Sequence, residues 1–224
     1  MKERPILFSG PMVRAVLQGR KTQTRRIMKP QPNLQFRPAS RVEIYQRKPG
    51  NWEVKDRLSM DGFSSLDAFN CPYGRPGDLL WVRETWARDE SGAYLYRSDA
   101  IQDDSGEIGG SWVWEKHFPG PWRPSIHMPR AASRILLEVV EVRVERLNEI
   151  SEENAKAEGV EPIPWPESNH PLYPIYGSKG DWGNERYTLS PISSFKALWQ
   201  TINGPESWNI NPWVWVITFN RITP

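Results

Sequence analysis

A small mixed β-barrel with helices packed against it, in the α+β class, is the fold this chain predicts. Its strand and helix signals follow no regular βαβ rhythm, which argues against doubly wound and TIM-barrel architectures. The 21 prolines and 16 glycines cut the chain into short elements joined by long loops, because proline is excluded from element interiors. Twelve tryptophans, seven tyrosines and seven phenylalanines offset a hydrophobic fraction of only 38%, since each ring buries a large area. With 224 residues the chain is read as one domain over 1–224, interrupted by loop-rich insertions at about 29–76, 88–121 and 161–189.

Taken in order, Ile6 to Phe8 form a short apolar strand. Ser9 or Gly10 then caps a helix with Pro11 at its first position and Met12, Val13, Val16 and Leu17 as an apolar stripe, ending at Gly19. Thr22 to Ile27 alternate and are threonine-rich, so they extend. From Lys29 to Pro76 the pattern weakens, with one strand pair around Val42–Tyr45 and Trp52–Val54. Gly77-Asp78 turns the chain into a strand from Leu79 to Trp86. Tyr94–Tyr96 and Trp112–Trp114 read as short strands inside the second insertion.

Ile135 to Leu147 is the longest strand signal, with Val140, Val142 and Val144 facing inward and Glu141, Arg143 and Glu145 facing water. Ser151 caps a short acidic helix through Ala157, which Gly159 stops. Ser190-Pro191 opens a helix with Ile192, Phe195, Leu198, Trp199 and Ile202 at helical spacing. The nearly all-apolar run Trp213 to Phe219 predicts a strand buried on both faces, with Trp199, Trp213 and Trp215 in the core.

Charge is concentrated although the whole chain is only +2. From Arg4 to Val42 there is no acidic residue but nine Lys or Arg, and local field is what attracts an anionic partner. Within that window Gly19-Arg20-Lys21-Thr22-Gln23-Thr24-Arg25-Arg26 groups cations with hydroxyls, the side chains that hold phosphate, sugar or base oxygens. Lys21 and Thr24 form either a base and nucleophile or a set of phosphate contacts on a solvated basic edge. On an ideal strand they would face opposite ways, so a shared site needs a turn near Gly19.

A second acid-free window, Lys116 to Leu137, holds Lys116, Arg123, Arg130 and Arg134 with Phe118 and Trp122 among them. That mixture suits single-stranded nucleic acid, by stacking and phosphate contacts, or equally a loop anchored on the core by Trp122. Trp86, beside Arg83 and Glu84 at a strand end, is the tryptophan best placed for a ligand. His117, His127 and His170 are isolated and no nucleotide-cofactor motif is present, so neither metal nor cofactor is expected. Asp103, Asp104 and Glu107 read as an exposed acidic loop. The lone Cys71 excludes an internal disulfide, and no apolar run reaches membrane-spanning length, so a soluble cytoplasmic protein is expected.

The succession of a helix, Gly-Arg-Lys-Thr-x-Thr-x-Arg, Gly-Asp-Leu-Leu-Trp-Val, a valine-rich strand, Ala-x-Ala-Glu-Gly and a final Trp-Val-x-x-Phe strand resembles the ASCH domain family. The likeness covers about half the chain, and the segment from Trp122 to Arg130 is similar to ASCH proteins of phages and prophages. It implies a PUA-like β-barrel that recognises RNA or modified nucleosides. Some small members are amidohydrolases that deacetylate N(4)-acetylcytidine with a Lys, a Thr and a Glu. Matched residue by residue, the resemblance implies Lys21, Thr24 and Glu158 as the catalytic set. Arg26 matches the family's arginine and is implied as the member of the Arg25-Arg26 pair inside the pocket. Arg20, Thr22, Arg83, Glu84 and Trp86 complete the expected substrate contacts. Two other readings stand beside it: a binding module that grips RNA or single-stranded DNA, and a ribonuclease. The oligomeric state is not legible.

Overall fold

The computed structural model describes residues 1–32, 42–56, 65–99, 121–163, 170–177 and 186–222. In chain order the elements are β1 (Glu3–Leu7), α1 (Gly10–Leu17), β2 (Gln23–Ile27), β3 (Val42–Lys48), β4 (Asn51–Asp56), β5 (Ser65–Asn70) and β6 (Leu79–Arg83). There follow β7 (Trp86–Arg88), β8 (Tyr94–Tyr96), β9 (Leu136–Arg146), α2 (Glu152–Ala157), β10 (Tyr173–Pro174), β11 (Tyr187–Thr188), α3 (Pro191–Asn203) and β12 (Trp213–Ile222). The fold is α+β, with short helices set against several sheets. Among the described residues no helix is long and apolar enough to cross a membrane.

The main sheet has the order β1-β6-β9-β12-β2, parallel between β1 and β6 and antiparallel elsewhere. The expected barrel is not closed: among the described residues β1 and β2 are free edges that share no ladder. A side chain spans the gap instead, with Arg26 Nη2 donating to the Leu7 carbonyl at 2.6 Å and its guanidinium lying over the Phe8 ring.

β12 is buried on both faces over 213–217, as its nearly all-apolar run requires, and becomes exposed from Asn220. Trp213, Trp215, Ile217 and Phe219 enter one core with Phe8, Val13, Val16, Leu80 and Val139. Val214 and Val216 enter the other with Ala155, Phe195, Trp199 and Trp208. Two corrections to the sequence reading follow. The 29–76 segment holds the expected strand pair as β3 and β4, but it is more than a loop-rich insertion: with β5 they form an antiparallel sheet that covers the first core, with Trp52 edge-on to Trp215 at 5.0 Å between ring centroids. Burying such a ring contributes about 2–3 kcal/mol.

The second correction concerns β9. Leu137 and Val139 point inward, Val140 is 47% exposed and Val142 is again buried. The register steps from Thr218↔Glu141 to Phe219↔Val139, so Val140 is the extra residue of a β-bulge, which turns it outward while Val142 and Val144 keep the expected inward face. The expected strand at Trp112–Trp114, the acidic loop and Lys116 lie outside the described residues.

Candidate functional site

The junction between α1 and β2 is built so that Lys21 turns inward. Gly19 takes φ +75°, and the backbone N–H groups of Arg20 and Lys21 then both donate to the Ala15 carbonyl at 2.9 and 3.0 Å. The end of α2 meets this turn: Thr22 N–H donates to the Ala157 carbonyl at 2.9 Å. Gly159, at φ +95°, permits the approach, since a Cβ there would lie 3.0 Å from Ala15 Cβ and 3.2 Å from Lys21 Cβ. Lys21 precedes β2, so strand alternation does not separate it from Thr24. Both are 2% exposed.

Lys21 Nζ donates to the Gln23 carbonyl at 2.8 Å, the Glu158 carbonyl at 2.8 Å and Glu158 Oε2 at 2.9 Å, and it sits 5.4 Å from the Phe8 ring centre. Burial pushes the ammonium below the ordinary lysine range; Glu158 opposes that shift, and the Arg26 and Arg25 charges reinforce it. The other Glu158 oxygen accepts from Arg25 Nη1 at 3.2 Å. Arg25 also reaches Gln23 Oε1 at 2.7 Å and Glu145 Oε2 at 2.8 Å. Glu158 therefore stands between two buried cations. Its position at the negative end of α2 is offset by them.

Of these groups, Arg25 and Glu158 border a cavity of about 480 Å³. Thr24, Arg26 and Lys29 add to its polar lining, and Phe195, Leu198 and Trp199 of α3 with Met12 and Ile27 supply an apolar one. The size is that of small-ligand pockets. Its floor is the free edge of β2. Thr22 accepts from Phe219 N–H and Met28 donates to Trp213, so the even-numbered residues pair with β12. By antiparallel alternation, Gln23, Arg25 and Ile27 present their N–H and C=O groups outward. Lys21 occupies the Gln23 carbonyl, which leaves the main chain of Arg25 and Ile27 to face the cavity. At the cavity, Arg25 Nε and Arg26 Nε are buried with no hydrogen-bond partner among the described residues.

The structure thus brings Lys21, Thr24, Glu158 and Arg26 together. Lys21 lies one layer behind the wall, fully enclosed, and Thr24 is not among its hydrogen-bond partners. Arg25 and Glu145 belong to the cluster as well. Alternation along β2 signals that one arginine of the pair turns inward on each face; because the cavity wraps the strand edge, it reaches both.

The remaining expected contacts are elsewhere. Arg20 turns outward to Glu161 Oε2 at 2.7 Å, and Thr22 is exposed. Trp86 is 3% exposed, packed edge-on against Tyr94 and under the Arg123 guanidinium, so it is a core residue and not a stacking platform. Glu84 is buried and binds Arg134 Nε at 3.0 Å, while Arg83 donates to the Ile126 carbonyl. None of these five lines the cavity.

Of the described cations in the second basic window, Arg130 and Arg134 are paired with carboxylates, while Arg123 is exposed and lies over Trp86. Arg134 also grips Asp99 at 2.6 and 2.7 Å, and Arg130 pairs with Glu3 Oε2 at 2.7 Å. Trp122 is half-buried beside Arg123, whose backbone bridges to Trp86. The segment is a loop held on the sheet by carboxylates and aromatic rings.

No protein-family model, curated protein or solved structure matches the chain.

Proposed function

We propose that the chain is a nucleoside-recognising protein of the ASCH type on a PUA-like scaffold, whose cavity removes the acyl group from N(4)-acetylcytidine-like substrates. The observation that carries this reading is the placement of Thr24 and Glu158 on one cavity wall, with Lys21 Nζ 2.9 Å behind the carboxylate. A hydroxyl and a carboxylate from separate parts of the chain border a space that fits a small molecule, and the amine backs the carboxylate. The approach of β1 and β2 through Arg26 and Leu7 supports a barrel-like scaffold left open at the site. The reducing cytoplasm is the compartment proposed for it, in keeping with a single, buried thiol.

In this scheme Thr24 Oγ adds to the amide carbonyl carbon. Its proton passes to the Lys21–Glu158 pair through Glu158, the member that faces the cavity. The unpartnered Nε–H of Arg25 and the main-chain N–H of Arg25 steady the oxyanion. Collapse breaks the C–N bond, and the cytosine amine leaves with the proton just taken up. Water then cleaves the Thr24 ester, releasing acetate and restoring the hydroxyl, so the sum is amide plus water to amine plus acid. Lys21 accepts a proton only as the neutral amine, which its burial favours.

The test is acetate release from N(4)-acetylcytidine. Thr24→Ala should abolish it in a folded protein, and Glu158→Gln should lower it about 10²–10⁴-fold. A wild-type protein that releases no acetate overturns the proposal. Nucleic-acid gripping through residues 123–134 is the weaker reading, because Arg130 and Arg134 are already committed to carboxylates.

A further inference from the structure

Resting on the nucleoside reading above, we infer that the ligand carries a phosphate: the cavity takes a mononucleotide, its phosphate held by Arg26 and Lys29 beyond the acyl end of the site. The charge around the cavity favours an anion. Arg25, Arg26 and Lys29 line it against one carboxylate, Glu158, and Glu145, which also binds Arg25, is shared with Arg143. Glu158 is spent on Lys21 and Arg25. Among the described residues, Arg26 and Lys29 have no carboxylate partner, yet both line the cavity.

The donors are also set for an anion. The Arg25 side chain is fully enclosed and lines the cavity, and its Nε has no partner. Arg26 is fixed by the Leu7 carbonyl and the Phe8 ring, which leaves its buried Nε free. Buried N–H groups of a guanidinium without acceptors are costly, and phosphate oxygens are their best partners. Tyr73 lines the same wall, and burial raises its phenol, so the hydroxyl remains a donor. A neutral nucleoside leaves this positive excess uncompensated, whereas a phosphate monoester brings about −2.

Spacing orders the ligand along β2. Thr24 and Arg26 are on one face two residues apart, about 7 Å, and Lys29 follows the strand's end. The exocyclic amine and the 5′ oxygen of cytidine are separated by a distance of that order, which puts the base against Phe195 and Trp199 and the phosphate at the rim. The size of the cavity, about 480 Å³, and the pairing of Arg130 and Arg134 with carboxylates favour a mononucleotide over a polynucleotide.

Calorimetric titration of the full chain with cytidine, cytidine 5′-monophosphate and a short cytidine-containing oligoribonucleotide separates the outcomes. The monophosphate should bind at least about tenfold more tightly than cytidine, more weakly as salt rises, and in competition with inorganic phosphate. Lys29→Gln, a change at an exposed side chain, should remove much of that preference, and Arg26→Gln most of it. Equal binding of cytidine and its monophosphate, absence of binding by both, or tighter binding of the oligonucleotide overturns the inference. Acetate release without phosphate preference would sink this inference alone. Phosphate preference without acetate release would sink only the hydrolytic reading.

Discussion

Lys21→Met tests the arrangement at its most buried point. The native side chain is fully enclosed and makes three donor contacts of 2.8, 2.8 and 2.9 Å. Methionine fills a similar volume but leaves the Gln23 and Glu158 carbonyls without this donor and Glu158 with Arg25 alone. Breaking a buried pair by removing one partner costs about 3–5 kcal/mol. In a chain of this size that lowers the melting temperature by roughly 6–20 °C. Urea unfolding followed by circular dichroism should therefore show a lower midpoint with an unchanged slope. Replacing both partners, as Lys21→Met with Glu158→Leu, should recover part of the loss, since apolar substitutes for a buried pair are often tolerated. A loss below about 1 kcal/mol for the single variant would refute the buried, paired geometry, because that is the worth of a surface ion pair.

Other outcomes follow from the same geometry. The folded-state pKa of Lys21 lies below its unfolded value, so the unfolded chain binds the proton more tightly and this group's contribution to stability rises with pH between the two values. Acetate release should rise with pH along a limb below the ordinary lysine value of about 10.4, as read from kcat/KM profiles. Trp52→Ala removes a ring wedged against Trp215 and should cost about 3–5 kcal/mol in denaturant titrations. Arg134→Ala should destabilise by a comparable amount, because Glu84, 1% exposed, loses its ion partner, and this is measurable by the same unfolding assay. Burial pushes the Cys71 thiol up to about 11, so alkylation by iodoacetamide at neutral pH should be negligible until the protein unfolds.

How much of this was legible in the sequence depended on whether the cause was local. Ser151 and Ser190 cap their helices by accepting from the N–H groups of Asn154 and Ser193, as helix-start chemistry dictates. The double burial at the start of β12 was written in its nearly all-apolar run. Val140 misled because a bulge depends on the partner strand, which periodicity in one strand cannot report. Trp86 misled in the same way: its neighbours Tyr94 and Arg123 arrive from distant segments and cover it.

At the site, the Lys21–Glu158 contact joins residues that sequence pattern alone could not pair, and only the family resemblance put them together. Glu145 had no motif to mark it, being one of several charges along β9. Arg25 was visible as half of a doubled arginine, yet the choice between the two needed the geometry of a cavity that wraps an edge. The inward turn of Arg134 could be read only once Glu84 and Asp99 were placed around it.

The most direct measurement is rapid acid quench of the protein during turnover of N(4)-acetylcytidine, followed by peptide mass spectrometry. The account predicts one acetyl group on the peptide containing Thr24, absent from Thr24→Ala. Acetate produced while Thr24 stays unmodified in every quenched sample, or an acetyl group trapped on a residue outside the cavity, would contradict it.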